Sequence, residues 1–368
     1  MGKFTTSVFK KDQPKDNHKF QPLPEPSGSY PYHLELTSVR PVSGDQKIVF
    51  HMVGDTGSVL NPGFQQLVAI AMQGQFQQPD TTNEPMFLYH LGDLVYHHGE
   101  ADRYDRQFFK PYQNYPAPIF AIAGNHDSDV NPEAAVPYKS LEAFKQVFCD
   151  TVSRPVAFSA NGNRLSMIQP HIYWVLHTPL ATIIGLHSNV PKYGIITEEQ
   201  KEWFMEELTA AGQQRPDKAI IVCLHHAPYS ADTNHGSSQP MIEFLEQAFR
   251  HTGVRPDIVF SGHVHNYQRF NKQYADGVVP YIVAGSGGFD ELHTIASIDD
   301  EQYSNNSHLF NGVTLQSYCD TQHGFLRITL EKGTRGLILT GEYYTIPHQE
   351  NTINPPDALL YDRFEIAI

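Results

Sequence analysis

Cysteine is scarce in this chain: Cys149, Cys223 and Cys319 are the only three in 368 residues. Their spacing matches no zinc motif and no C-x-x-C pair. An odd count argues against a disulfide scaffold, although one bridge between Cys149 and Cys319 stays open. Long apolar runs are missing too. The longest candidate, Ile172 to Leu186, is broken by His177 and Pro179, so no membrane span is expected. Positive charge is in deficit, with 26 Lys and Arg against 40 Asp and Glu and a net charge of −14. Binding a phosphate backbone rests on Lys and Arg, so no nucleic-acid groove is expected. The stretch Met1 to Phe20 has no apolar segment and carries Lys3, Lys10, Lys11 and Lys15. No signal peptide is visible, which makes the cytoplasm the default compartment. Secretion or a periplasmic location would follow if a leader had been removed. Met1-Gly2 with Thr6 fits an N-myristoylation pattern, too short to carry weight.

What is present is a globular composition, 40% hydrophobic and 18% charged, with enough apolar residues for a sizeable core. The chain also has 20 histidines. Residues 1–45, with Pro22, Pro24, Pro26 and Pro31 close together, read as an extended lead-in laid over the surface. Lys47–Val53, Met86–Leu91 and Ile119–Ala123 read as short buried strands. Between and after them, Pro62–Gln77, Arg103–Tyr112 and Ser140–Cys149 read as helices. Such alternation predicts a parallel sheet covered by helices.

The middle of the chain, with strands predicted at Val156–Ser159, Ile172–His177 and Thr182–Leu186, has no helix between them. Thr197 to Gln200 forms a capping-box sequence opening a helix to about Ala211. Strands follow at Ala219–Leu224, Ile258–Phe260, Tyr281–Ala284, Gly324–Leu330 and Gly336–Tyr344, with a helix at Met241–His251. Residues 286–315 read as a long loop able to shape substrate access. The expected architecture is α/β: a four-layer α/β/β/α sandwich of two packed mixed sheets flanked by helices. It would occupy residues 46–345, with 346–368 as a C-terminal tail.

The early strands each end in glycine and a polar residue. These tips are Gly54-Asp55-Thr56-Gly57, Gly92-Asp93-Leu94-Val95-Tyr96 and Gly124-Asn125-His126-Asp127. Two further tips are Leu224-His225-His226 and Gly262-His263-Val264-His265. In open α/β sheets that edge is where ligands bind. Two aspartates, one asparagine, at least three histidines and a tyrosine form a donor set suited to Fe, Mn or Zn, and the lack of thiolates argues against a closed structural zinc site. So many donors suggest two ions sharing one carboxylate, an arrangement used for in-line attack on phosphorus.

These five motifs, in this order, resemble those of the calcineurin-like metallophosphoesterases, and most closely the purple acid phosphatases. Most of that superfamily has Asp-x-His in the first motif. Here the third position is Gly57, and Tyr96 stands three residues after Asp93, which is the purple acid phosphatase pattern. The resemblance covers roughly residues 47–290 and includes GHVHNYQR at 262–269 and YIVAGSGG at 281–288. Too little chain precedes Asp55 for the extra β-domain of the plant members, so the single-domain form is expected.

The resemblance implies an acid phosphatase with a dinuclear metal centre. One metal, ferric iron, would be held by Asp55, Asp93, Tyr96 and His265. A divalent ion (Fe, Zn or Mn) would be held by Asp93, Asn125, His225 and His263. His126 would contact the phosphate or protonate the leaving oxygen, Asp127 would orient His126, and a metal-bound hydroxide would attack. The substrate would be a small phosphomonoester.

Either His225 or His226 could serve as ligand; the strand Ile220–Leu224 makes His225 the first loop residue. His97 and His98 follow Tyr96 closely enough to face the pocket. His171, His177 and His187, on or near apolar strands, are expected to be core or edge residues, as are Cys223 and the stripe Trp203-Phe204-Leu208. Two rival functions remain. One is a phosphodiesterase or nucleotide hydrolase on the same fold. The other is a scaffold that has lost catalysis, which should also have lost ligands; here all are present.

Overall fold

The computed structural model describes residues 2–42, 44–60, 63–76, 83–160, 164–347 and 357–368. Its strands, in chain order, begin with β1 (Phe9–Lys10), β2 (His33–Glu35), β3 (Lys47–Val53), β4 (Leu88–His90) and β5 (Ile119–Ala121). The central ones are β6 (Trp174–His177), β7 (Ala181–Gly185), β8 (Ala219–Leu224), β9 (Ile258–Ser261), β10 (Tyr267–Tyr274) and β11 (Gly277–Ala284). The last are β12 (Tyr303–Ser304), β13 (Val313–Cys319), β14 (Gly324–Gly333), β15 (Gly336–Thr345) and β16 (Leu359–Ala367). The helices are α1 (Gly63–Gly74), α2 (Asn125–Ser128), α3 (Glu142–Phe148), α4 (Glu198–Gly212) and α5 (Gln239–Thr252).

One sheet runs β16-β15-β14-β3-β4-β5 and a second runs β13-β10-β11-β9-β8-β7-β6-β2. Within the first, β3, β4 and β5 are parallel; within the second, β7, β8, β9 and β11 are parallel. Parallel strands buried on both faces read as unbroken apolar runs. That is why β8, Ala-Ile-Ile-Val-Cys-Leu, is buried throughout. The sheets pack on each other through large rings. Tyr89 of β4 stacks on Trp174 of β6 at 5.9 Å, and Tyr267 of β10 on Tyr343 of β15 at 3.9 Å. One continuous core joins them.

Helix ends follow local rules. Ser238 caps α5 by accepting from the Met241 N–H, and Gly253 ends it at φ 68°. Thr197 caps α4 by accepting from the Gln200 N–H. The Gln200 side chain does not return to the cap: it accepts from the His187 N–H at 2.7 Å and donates to the His187 carbonyl at 2.9 Å. The capping-box sequence therefore ties α4 to the loop after β7.

Several expectations shift. Val156–Ser159 is loop and turn, not strand. The helix expected over Arg103–Tyr112 is centred on a π-helical turn at Asp105–Phe109. The helix after β3 spans Gly63–Gly74; Pro62 and Gln77, its expected ends, lie outside the described residues, as does Met1. β10 and β13 were not anticipated, because their alternating pattern is interrupted by polar residues and, in the pair they form, by a register shift at Arg269/Phe270. Residues 286–315 include β12 and the start of β13, so the segment is a partly structured loop. The lead-in supplies β2, paired with β6, and β1, paired with β12. The tail supplies β16, paired with β15. Neither terminal segment stands apart from the sheets. The three cysteines are free and buried.

His51 sits fully buried on β3, 2.9 Å from the Tyr115 hydroxyl and 3.1 Å from Gln75. Burial pushes its pKa down to about 3. The unfolded chain binds a proton near pH 6.5 that the folded chain refuses. Stability is therefore full above pH 6.5 and falls by roughly 1.4 kcal/mol per unit as pH drops toward 3. Between pH 6.5 and 4.5, His51→Gln should lose about 2 kcal/mol less than wild type in denaturant unfolding. Equal losses would show that His51 is protonated in the fold.

Candidate metal centre

All five predicted tips converge where the C-terminal ends of β3, β4 and β5 meet those of β8 and β9. Asp55, Asp93 and His263 hold left-handed backbone conformations, at φ 57°, 56° and 67°. Such conformations are costly for non-glycine residues and cluster at functional sites. Hydrogen bonds hold them: Asp55 accepts from the His263 N–H at 2.8 Å, and Asp127 accepts from the Asp93 N–H at 2.8 Å.

The donor atoms fall into two groups. In the first, the Tyr96 hydroxyl lies 3.3 Å from Asp55 Oδ1 and 3.3 Å from His265 Nε2, and His265 Nε2 lies 3.5 Å from Asp55 Oδ1. In the second, Asn125 Oδ1 lies 3.1 Å from His225 Nε2 and 2.9 Å from His263 Nδ1, and Asp93 Oδ2 lies 3.3 Å from His225 Nε2. The Asp93 charge also acts on the Tyr96 hydroxyl, raising the phenol, so its carboxylate influences both groups. Metal bonds of about 2.0–2.2 Å place neighbouring donors roughly 3.0–3.5 Å apart. The spacing fits two ions sharing Asp93.

Electrostatics agree. Burial and the Asp93 charge raise Asp55 well above the usual carboxylate range, against the pull of His225. Burial also raises Asp93, but His225 and His126 outweigh it and hold its carboxyl low. Burial lowers His225, yet Asp93 raises it to about 9. Burial and the two carboxylates push the Tyr96 phenol far up. Burial and neighbouring imidazoles keep His263 and His265 well below the ordinary histidine range. His263 and His265 are thus held neutral, while the proton that Asp93 holds on His225 is one a bound cation would displace.

Gly57 explains the Tyr96 position physically. A Cβ there would come within 2.8 Å of the Tyr96 ring and 2.6 Å of Gln107 Oε1. The space that a longer first-motif residue would need is filled by the tyrosine. At Gly92, φ is 98° and a Cβ would lie 2.7 Å from His225 Nδ1, so only glycine turns the chain there.

His225, not His226, faces Asp93 and Asn125. Its Nδ1 donates to the Leu91 carbonyl at 2.8 Å, which leaves Nε2 as the donor atom. His226 instead meets the Ser188 hydroxyl at 2.7 Å. The imidazole of His126 is fixed by Nδ1 against the His97 carbonyl at 2.7 Å, and the His126 backbone N–H donates to Asp93 Oδ1 at 2.9 Å. The reading of Asp127 needs correction. Its carboxylate accepts from the N–H groups of Asp93, Leu94, Val95 and Gly124 at 2.8–3.2 Å. It binds two metal-site loops together and does not orient the His126 ring. Burial and Asp93 raise it to about 7 against these donors. With four donors and no acceptor around it, the loops are built for its ionised form.

A cleft of about 430 Å³ opens over the centre, lined by Asp93, Asn125, His126, His263 and His265. Neither His97 nor His98 lines it; His98 pairs with Asp129 at 3.3 Å. The cleft includes residues the motifs did not flag: His235, whose ring lies 4.0 Å from that of His263, and His293, held by Asp232 at 2.8 Å and stacked on His265 at 4.3 Å. Lys19 and Lys192 also line it. His235, ten residues past His225, and His293, five past the segment at 281–288, lay close enough in sequence to a motif to be noticed.

Residues 48–267 match the family profile described as calcineurin-like phosphoesterase. The chain belongs to this family. Among curated relatives, it is similar to purple acid phosphatase 15 of Arabidopsis thaliana, 30% identical over 50% of this chain and 32% of that protein. It is also similar to tartrate-resistant acid phosphatase type 5 of Mus musculus, 23% identical over 65% of this chain and 72% of that protein. The chain thus spans about a third of the plant relative. A solved structure of GAP50, the anchor in the inner membrane complex of Plasmodium, has the same fold: TM-score 0.52 at 15% identity, over 86% of this chain and 90% of that one. Among the described residues of this family member, no helix is long and apolar enough to cross a membrane.

Proposed function

We propose that this calcineurin-like phosphoesterase hydrolyses small phosphomonoesters at a dinuclear centre of iron(III) and a divalent ion. The observation that carries the reading is the pair of donor groups joined by Asp93, with His126 beside them in the same cleft. Bound metals would supply the charge that activates a water and stabilises the phosphoryl oxygens. The chain does the rest. Asp55, Tyr96 and His265 hold one site and Asn125, His225 and His263 the other. With Nδ1 committed to the His97 carbonyl, His126 presents Nε2 to the substrate. Protonated on both ring nitrogens, it gives the Nε2 proton to the leaving oxygen as the bond to phosphorus breaks, and keeps the Nδ1 proton on the His97 carbonyl. Asp127 positions Asp93 and the loop of Asn125. A phenolate at Tyr96 is stable only beside a strong cation, since burial and two carboxylates oppose it; ferric iron meets that need.

The test is a purified sample assayed on an aryl phosphate monoester and the matching diester, with its visible spectrum recorded. The monoester should be preferred, and a broad phenolate-to-iron band should vanish in Tyr96→Phe. His126→Ala should lower kcat by about 100-fold or more with metal content unchanged. Preference for the diester, or turnover unaffected in His126→Ala, would sink the corresponding part of the reading.

A further inference from the structure

The cleft is closed on one side by the N-terminal lead-in, which runs across its mouth. Two pairs of hydrogen bonds clamp this strap on either side of residue 19. Both carboxylate oxygens of Asp16 accept from the Lys192 N–H at 3.2 Å. The Gln21 N–H donates to Asn189 Oδ1 at 2.9 Å, and Asn189 Nδ2 donates to the Gln21 carbonyl at 2.8 Å. Further back, Val8 exchanges backbone hydrogen bonds with Ser230 and Ser237 at 2.9 and 2.8 Å, on the loop that carries His235.

The clamps hold the backbone at Lys192 and on both sides of the more exposed Lys19, and both residues line the metal cleft. Lys192 follows Pro191 in the turn beside the second donor group, and its carbonyl accepts from His263 Nε2 at 3.1 Å. Lys192 is half-buried, and among the described residues no carboxylate lies within ion-pair distance of its ammonium. Lys19 is paired only loosely, at 3.6 Å from an Asp16 already engaged by the Lys192 N–H. Both lysines line the same 430 Å³ cleft as Asp93, Asn125 and His126. In a chain of net charge −14, two under-neutralised lysines at one cleft are an anion-selective feature. A single phosphoryl group leaves much of such a volume unfilled. Asp16 and Glu291 are the acidic lining residues outside the metal set, and Asp16 is committed to the strap.

We infer that Lys19 and Lys192 form a second anion subsite, so that the preferred substrate is a phosphomonoester whose leaving group itself carries a phosphate, such as a sugar bisphosphate. The inference rests on the phosphomonoesterase reading of the same centre. One phosphoryl group sits at the metal donors, and the other is held by the two ammonium groups contributed by the strap and by the turn at 191–192. Charge-assisted contacts of this kind are lost when either partner is removed.

The experiment compares kcat/KM for fructose 1,6-bisphosphate and 4-nitrophenyl phosphate in wild type, Lys19→Ala, Lys192→Gln and the double variant. Lys11→Ala, on the same strap but away from the cleft, controls for the change in net charge. Calorimetry on the same proteins measures binding of inorganic pyrophosphate and of inorganic phosphate. The expected result is a bisphosphate-to-aryl ratio that falls about tenfold in each single variant and further in the double, with Lys11→Ala matching wild type. Pyrophosphate should bind wild type at least tenfold more tightly than phosphate, and the double variant should lose that margin. A ratio unchanged by the double variant, or equal affinities for the two anions in wild type, overturns the subsite. If wild type hydrolyses neither ester, the phosphomonoesterase reading fails, and the pyrophosphate margin alone then decides the subsite.

Discussion

Asp93→Ala is expected to lower turnover by at least about a thousandfold and to strip the protein of most of its bound metal. The carboxylate acts on both donor groups: it is 3.3 Å from His225 Nε2, and its charge raises the buried Tyr96 phenol. Every other donor serves one group only. Its loss would weaken both sites of the proposed two-metal centre together, and in such a centre attack and departure depend on both. Oδ1 of the same side chain accepts from the His126 N–H, so the substitution also frees the backbone under the proposed acid. Metal analysis and steady-state kinetics on the refolded variant, with circular dichroism to confirm folding, check this. A variant retaining two metals per chain, or turnover within tenfold of wild type, would show that Asp93 is not shared.

Asp127→Ala should act differently, chiefly on stability, by about 3–5 kcal/mol. The side chain has no solvent exposure and satisfies four backbone donors. Removing it leaves buried N–H groups unpaired, each costing roughly 1–3 kcal/mol before relaxation. Those groups also hold Asp93 in its left-handed conformation at φ 56°, so metal affinity should fall with stability. Denaturant unfolding and metal titration of the same variant separate this from a role in proton transfer. A variant with normal stability and metal content but low kcat would restore Asp127 to the chemistry.

The contrast between these two aspartates shows where sequence reading stops. Both lie beside a glycine-led strand tip, and both are acidic residues in a metal-rich motif. Nothing in the spacing distinguishes a shared donor from a clamp on backbone N–H groups. That difference depends on which way each chain turns after the strand. The adjacent pair His225-His226 poses the same problem: one ring reaches Asp93 and Asn125, the other Ser188, because successive residues leave a strand on opposite sides. Of the strands missed from the sequence, β1, β2 and β12 are only two or three residues long, while the longer ones, β10, β13 and β16, belong to antiparallel outer parts of the sheets. There burial alternates or lapses, and the apolar signal weakens.

The sequence by itself determined the kind of site and the kind of fold. Buried strands ending in Gly-Asp, Gly-Asn-His and Gly-His-x-His announce themselves through continuous apolar runs and turn residues. Such signals are local, and they carry the donor types with them. Tertiary structure alone decided how the donors group, that Asp127 holds loops, and that His235, His293, Lys19 and Lys192 share the cleft. These partnerships join residues far apart in the chain, such as Asn125 with His225 and Asp55 with His263. They exist because two sheets press their strand ends together, and that packing is a long-range property no local pattern encodes.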